Sequence, residues 1–82
     1  MVAHFITAEG TISTLLPSNG IHFTPDEMQK KVGGEFEFLL TLEKHTLVVN
    51  KEANEKNIMP NDEASKLIPN TQIYGDVIVC KW

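Results

Sequence analysis

The stretch from Thr24 to Gly34 constrains this chain more than any other, because it carries both ends of one short helix. Thr24-Pro25-Asp26-Glu27 places a hydroxyl at the N-cap, proline at the first helical position and glutamate at the third, each satisfying or sparing an otherwise orphaned backbone N–H. Phe23 and Met28 stand where a hydrophobic staple forms, and Gly33-Gly34 supplies a left-handed stop after Val32. Lys30 and Lys31 fall in the last turn, where positive charge complements the helix dipole. The signals predict a helix over Pro25–Val32, which is too short to cover a whole sheet face.

On both sides of that helix the pattern is that of strands. Val2 to Ala8 is β-branched and aromatic, Glu9-Gly10 turns the chain, and Thr11 to Leu16 follows as a second short strand, giving an opening hairpin. Pro17-Ser18-Asn19-Gly20 then takes the chain out of the sheet. After the helix, Glu35 to Leu42 alternates, with Phe36, Phe38, Leu40 and Leu42 on one face and Glu35, Glu37, Leu39 and Thr41 on the other. The first set is expected to be core, so truncating Phe38 to alanine is expected to cost about 3–5 kcal/mol. Glu43-Lys44 turns into His45 to Asn50, whose Leu47 and Val49 continue that buried face in a central hairpin.

Lys51 to Asn57 is polar with no apolar stripe and reads as an exposed loop. Pro60-Asn61 offers an N-cap for a second short helix, Asp62 to Leu67, which Pro69 prevents from continuing. Ile73 to Trp82 is the last strand, bent near Gly75-Asp76, with Val77 and Val79 opposing Ile78 and Cys80 so that both faces are covered. The order β-β-α-β-β-α-β describes a single α+β domain over residues 1–82, a small antiparallel sheet of about five strands with two short helices packed on one face. Leu39, Val48, Ile78 and Trp82 would then form an apolar patch on the opposite face, and such a patch marks an interface. A homo-oligomer is expected, most simply a two-fold dimer.

Charge narrows the function classes. Seven lysines, no arginine and eleven acidic residues give a net charge of −4, the wrong sign for neutralising a run of nucleic-acid phosphates. The single cysteine, Cys80, has no intramolecular disulfide partner, and no Cys/His spacing suits tetrahedral zinc, so a reducing cytoplasmic setting without cofactor or metal is expected. The first twenty residues lack the basic start and continuous apolar stretch of a signal peptide, and the longest apolar runs fall far short of a bilayer span. The expectation is therefore no export and no membrane.

No residue set declares catalysis. His4, His22 and His45 are spread over a strand, a loop and a hairpin, and Cys80 on an apolar strand reads as a small hydrophobe. Glu37 and Glu35 share a strand face, either as a paired-carboxylate arrangement or as a solvated outer face. The 50–61 segment holds Asn50, Asn54, Asn57 and Asn61, amides that suit a neutral polar ligand and equally suit turns. The N-terminus of the second helix offers N–H groups to an anion, though Asp62 and Glu63 oppose one, and without arginine any anion must be met by Lys51, Lys56, amides or backbone. No catalytic residue is assigned, and the chain is read as a non-enzyme.

Thr24-Pro25-Asp26-Glu27-Met28-Gln29, Val32-Gly33-Gly34 with Glu35 and Glu37, Leu47-Val48-Val49-Asn50 with Glu52, Met59-Pro60-Asn61 with Ala64, and Tyr74-Gly75-Asp76-Val77-Ile78-Val79 form one pattern over roughly residues 6 to 80. The pattern resembles a family of small phage, prophage and plasmid proteins known only as a domain of unknown function. An acid-and-glycine turn usually follows the asparagine in that family, whereas Lys51, Ala53 and Asn54 stand here. The resemblance implies a phage-borne accessory protein, and such proteins are frequently counter-defence factors in the host cytoplasm. By analogy of size and genetic setting, the expected role is sequestration of a nucleotide immune signal, a cyclic dinucleotide or cyclic ADP-ribose derivative, in a pocket between subunits. Asn50, Lys51, Asn61, Tyr74 and Trp82 are the expected ligand-binding residues. The alternative is a protein-binding inhibitor of a host defence enzyme; a signal-cleaving hydrolase ranks last.

Overall fold

A computed structural model describes residues 2–16, 23–52, 58–68 and 70–81. Its elements are β1 (Val2–Ile6), β2 (Ile12–Leu15), α1 (Pro25–Val32), β3 (Phe36–Leu40), β4 (Thr46–Asn50), α2 (Asp62–Ser65) and β5 (Val77–Lys81). The strands form one antiparallel sheet in the order β2-β1-β5-β4-β3, the α+β architecture that the sequence pattern implies. The Pro17–Gly20 turn, His22, Asn54, Lys56, Asn57, Pro69 and Trp82 lie outside the described residues.

Helix α1 has the expected bounds, and its ends show why. The Thr24 hydroxyl accepts from the Glu27 N–H at 3.3 Å, and the Glu27 carboxylate accepts from the Thr24 N–H at 3.4 Å. At the other end Gly33 turns left-handed at φ 84°, and the N–H groups of Gly33 and Gly34 both donate to the Gln29 carbonyl at 2.9 Å. Phe23 and Met28 pack into the same apolar cluster.

The two helices cover opposite faces of the sheet, which corrects the expectation of one covered face. Under α1 and its buried Val32 lie Ala3, Val48, Ile78 and Cys80; on the other side Ile6, Leu47, Val49, Val77 and Val79 pack with Ala64 of α2 and with Ile73. The cause is the composition of β4 and β5. Their runs Leu47-Val48-Val49 and Val77-Ile78-Val79-Cys80 are apolar at every position, so both pleat faces must be hidden, as in any strand buried on two sides. Val48 and Ile78 are therefore interior and form no free patch, while Leu39 is half-buried on the α2 side.

Strand β3 brings the second correction. Its register pairs Glu37 with Val49, Phe38 with Val48 and Leu39 with Leu47. Leu47 and Val49 thus share a face with Leu39, and Phe36, Phe38 and Leu40 face the α1 side. Because β3 is an edge strand, α1 reaches only Phe36; Phe38 is 59% and Leu40 67% exposed, and Leu42 projects from the turn. The expected core set of Phe36, Phe38, Leu40 and Leu42 is outside the core beyond its first member. Lastly, α2 stops at Ser65 rather than Leu67, and β5 starts at Val77 rather than Ile73, because residues 70–76 run as irregular chain with one bridge, Pro60 to Tyr74, and a positive φ of 78° at Gly75.

Candidate functional site

Three of the five expected ligand-binding residues line one depression. Asn50, Lys51 and Tyr74 border a cleft of about 220 Å³ on the α2 face of the sheet, with Glu37 and Leu39 of β3 and Gln72 completing its walls. The chain builds it by two devices. The Lys51 N–H donates to the Glu35 carbonyl at 2.8 Å, extending the β3–β4 ladder by one pair and setting Lys51 at the cleft rim. The Pro60–Tyr74 bridge and the bond from the Gly75 N–H to the Met59 carbonyl at 2.8 Å fix Tyr74 on the opposite wall.

These residues do different things. The Asn50 side chain is 5% exposed and already engaged: its Nδ2 donates to the Val32 carbonyl at 3.0 Å and its Oδ1 accepts from the Glu52 N–H at 2.8 Å. Asn50 borders the cleft but turns its amide to the α1 side of the sheet, where it ties the end of β4 to the end of α1. Lys51 makes no ion pair among the described residues and brings a cation, Tyr74 a half-buried ring, and Glu37 an exposed carboxylate. Gln72 donates from Nε2 to the Ser65 hydroxyl at 3.0 Å, which anchors its amide beside α2.

Asn61 stands apart from the cleft. It is fully buried; Nδ2 donates to the carbonyls of Ile6 at 3.0 Å and Gly75 at 2.8 Å, and Oδ1 accepts from the Ala64 N–H at 3.0 Å as the cap of α2. With its amide enclosed by protein partners, Asn61 is a structural residue rather than the ligand contact expected from the sequence. Its side chain also takes the helix end that an anion would use, and α2 is a single turn. Trp82 lies outside the described residues.

A second cleft, of about 360 Å³, lies at the far end of the same face. It brings His4 and His45 together with Glu43, Glu63 and Lys66 over an apolar floor that includes Ile6 and Val79. The sequence held no signal for this meeting, since it depends on β1 lying two strands from β4. The Lys66 ammonium sits 3.1 Å from the Glu63 carboxylate, and His45 Nδ1 lies 3.9 Å from Glu43, so the cleft's cation is already matched by an acid. A third depression, of about 520 Å³, contains Lys30, Lys31, Glu9 and Asp76. Its lysines stand at the C-terminal end of α1, where carbonyls repel an anion, and the Lys31 ammonium is 5.4 Å from the centre of the Phe5 ring.

Cys80 is buried on β5, and burial raises its thiol above the ordinary range by penalising the thiolate. Among the described residues no helix is long and apolar enough to cross a membrane, and no group of three or more His, Cys, Asp or Glu side chains is placed to hold a metal ion. The chain matches no protein-family model, no curated protein and no solved structure.

Proposed function

We propose that the protein binds and sequesters a nucleotide signal of the cyclic ADP-ribose or cyclic dinucleotide type, without cleaving it, in the cleft between β3, β4 and the chain around Tyr74. The observation that carries this reading is the convergence of Lys51, Tyr74 and Glu37 on that cleft from three separate parts of the chain. Together they offer what such a ligand needs: an ammonium for phosphate, a ring face for a base, and a carboxylate to accept from a ribose hydroxyl or exocyclic amine. Sequestration by a small phage-borne counter-defence protein in the host cytoplasm is the biological setting that accords with the sequence pattern.

Calorimetric titration with cyclic dinucleotides and cyclic ADP-ribose isomers tests the reading. Saturable binding is expected, with at least one ligand recovered chemically intact. Lys51→Ala and Tyr74→Ala should each weaken binding roughly tenfold, the scale of one charge-assisted contact or one stacked ring. Binding unaffected by both substitutions, or recovery of a cleaved ligand, would contradict it. The alternative, inhibition of a host enzyme by direct protein contact, is favoured by one observation of its own, the exposed apolar side chains of Phe38 and Leu40.

A further inference from the structure

We infer that two copies of this chain pair through β3, in antiparallel register centred on Phe38, making a ten-stranded sheet and joining two clefts into one. The joined cleft rests on the binding role proposed above; the pairing itself does not.

The free edge is defined by the hairpin's own hydrogen bonds. The Thr41 N–H donates to the His45 carbonyl at 2.9 Å and the Lys51 N–H to the Glu35 carbonyl, so odd-numbered residues of β3 direct their main-chain groups at β4. The N–H and C=O groups of Phe36, Phe38 and Leu40 therefore point away from the sheet, and no described residue bonds to them. An unpaired edge with large apolar side chains is a template for another strand unless charge or proline blunts it, and no lysine or proline lies within Phe36–Leu40.

Symmetry and charge select the occupant and its register. With Phe38 opposite the partner's Phe38, Phe36 falls opposite the partner's Leu40, so all three outward residues of each copy find outward residues to bond. Phe36, Phe38 and Leu40 then meet their equivalents in a six-residue apolar stripe on the α1 face, hiding the side chains that α1 leaves bare. On the other face Glu37 lies opposite the partner's Leu39. Sliding the register by two residues in one direction sets Glu37 against the partner's Glu37, a like-charge pair; sliding it in the other sets Leu40 opposite the partner's Phe38 and leaves Phe36 to the turn residue Leu42. The other edge, β2, presents Ser13 on the face where β3 presents Phe38, and has no comparable apolar row.

The pairing also resolves a difficulty of size. One cleft of about 220 Å³ is smaller than the roughly 300–1,000 Å³ of ordinary small-molecule sites. A two-fold axis perpendicular to the sheet at Phe38 keeps both α2 faces on one side and brings Glu37 and Leu39 of each copy beside those of the partner. Two clefts then adjoin across the axis with a Lys51 at each side, an arrangement suited to a two-fold or elongated ligand carrying two phosphates.

Sedimentation equilibrium of the protein without ligand tests the pairing, at up to about 500 µM because a five-residue strand pair is smaller than a standard interface. A concentration-dependent dimer is expected for the native chain, and Phe38→Lys should weaken it at least tenfold while leaving the circular dichroism spectrum intact. Phe38→Cys supplies the second arm. The two α-carbons of a hydrogen-bonded antiparallel pair lie about 5.5 Å apart, within disulfide reach, so mild oxidation should crosslink Phe38→Cys faster than Ser13→Cys on the opposite edge. A native chain that stays monomeric, a dimer unchanged by Phe38→Lys, or preferential crosslinking at residue 13 would overturn the inference; the monomeric result would assign the apolar edge to a host protein. A dimer that forms as expected yet retains no nucleotide would leave the pairing standing and remove the binding role.

Discussion

Among the described residues, Asn61 holds the most with one side chain. Its one amide satisfies two buried carbonyls and caps α2, linking β1, the Gly75 bend and the helix at a point with no access to water. Asn61→Ala should lower unfolding stability in urea by about 3 kcal/mol, and Asn61→Asp should be no milder, because a carboxylate cannot donate to either carbonyl. The sequence located this residue as a helix cap but could not reveal its burial, since the Ile6 carbonyl it meets is far away in the chain. Phe38 shows the reverse. Its alternation with Glu37 looks like core packing, yet an edge position leaves it exposed, so Phe38→Ala measured on dilute monomer should cost less than about 1 kcal/mol. Cys80 gives a pH prediction. Burial holds its folded pKa above the unfolded value, so its contribution to stability is full below the ordinary thiol range and is lost as pH rises through the raised value. Urea unfolding between neutral and alkaline pH should therefore fall more steeply for the native chain than for Cys80→Ala; equal slopes would contradict the assignment.

At the scale of elements, local chemistry was legible wherever it is self-contained. The box at Thr24 and the glycines after Val32 define α1 without help from the rest of the fold, and the bounds read from the sequence are those of the structure. Thr24→Ala should cost about 1 kcal/mol through loss of the cap. Gly33→Ala should cost about 1–2 kcal/mol, a penalty of the left-handed backbone rather than of space, since the nearest atom to an added Cβ is 3.9 Å away. Thermal or urea unfolding of each variant checks both values. Which face an element covers was less legible. Alternation in β3 identifies two faces but not which one a helix will reach; that depends on strand order, and the sequence pattern contains no direct record of β3 lying at the edge. The continuous apolar runs of β4 and β5 did contain the clue that both faces are covered.

For the whole molecule, a three-layer arrangement on so small a chain leaves little helix to spend on the margins of the sheet. The inner strands are well hidden, β3 is not, and the cleft of Lys51, Tyr74 and Glu37 adjoins that bare edge. The proposed pairing of β3 with a second copy would account for the exposed phenylalanine, the unbonded edge and the small size of the cleft together. Such pairing would also couple the proposed binding to assembly, because a ligand that contacts both copies stabilises a dimer by mass action. Native mass spectrometry of the protein, alone and with a panel of cyclic dinucleotides and cyclic ADP-ribose isomers, tests that coupling most directly. The expected spectrum is a dimer fraction that rises on ligand addition and carries one intact nucleotide per two chains; bare monomer across the whole panel, or one ligand on each monomer with no dimer, would contradict it.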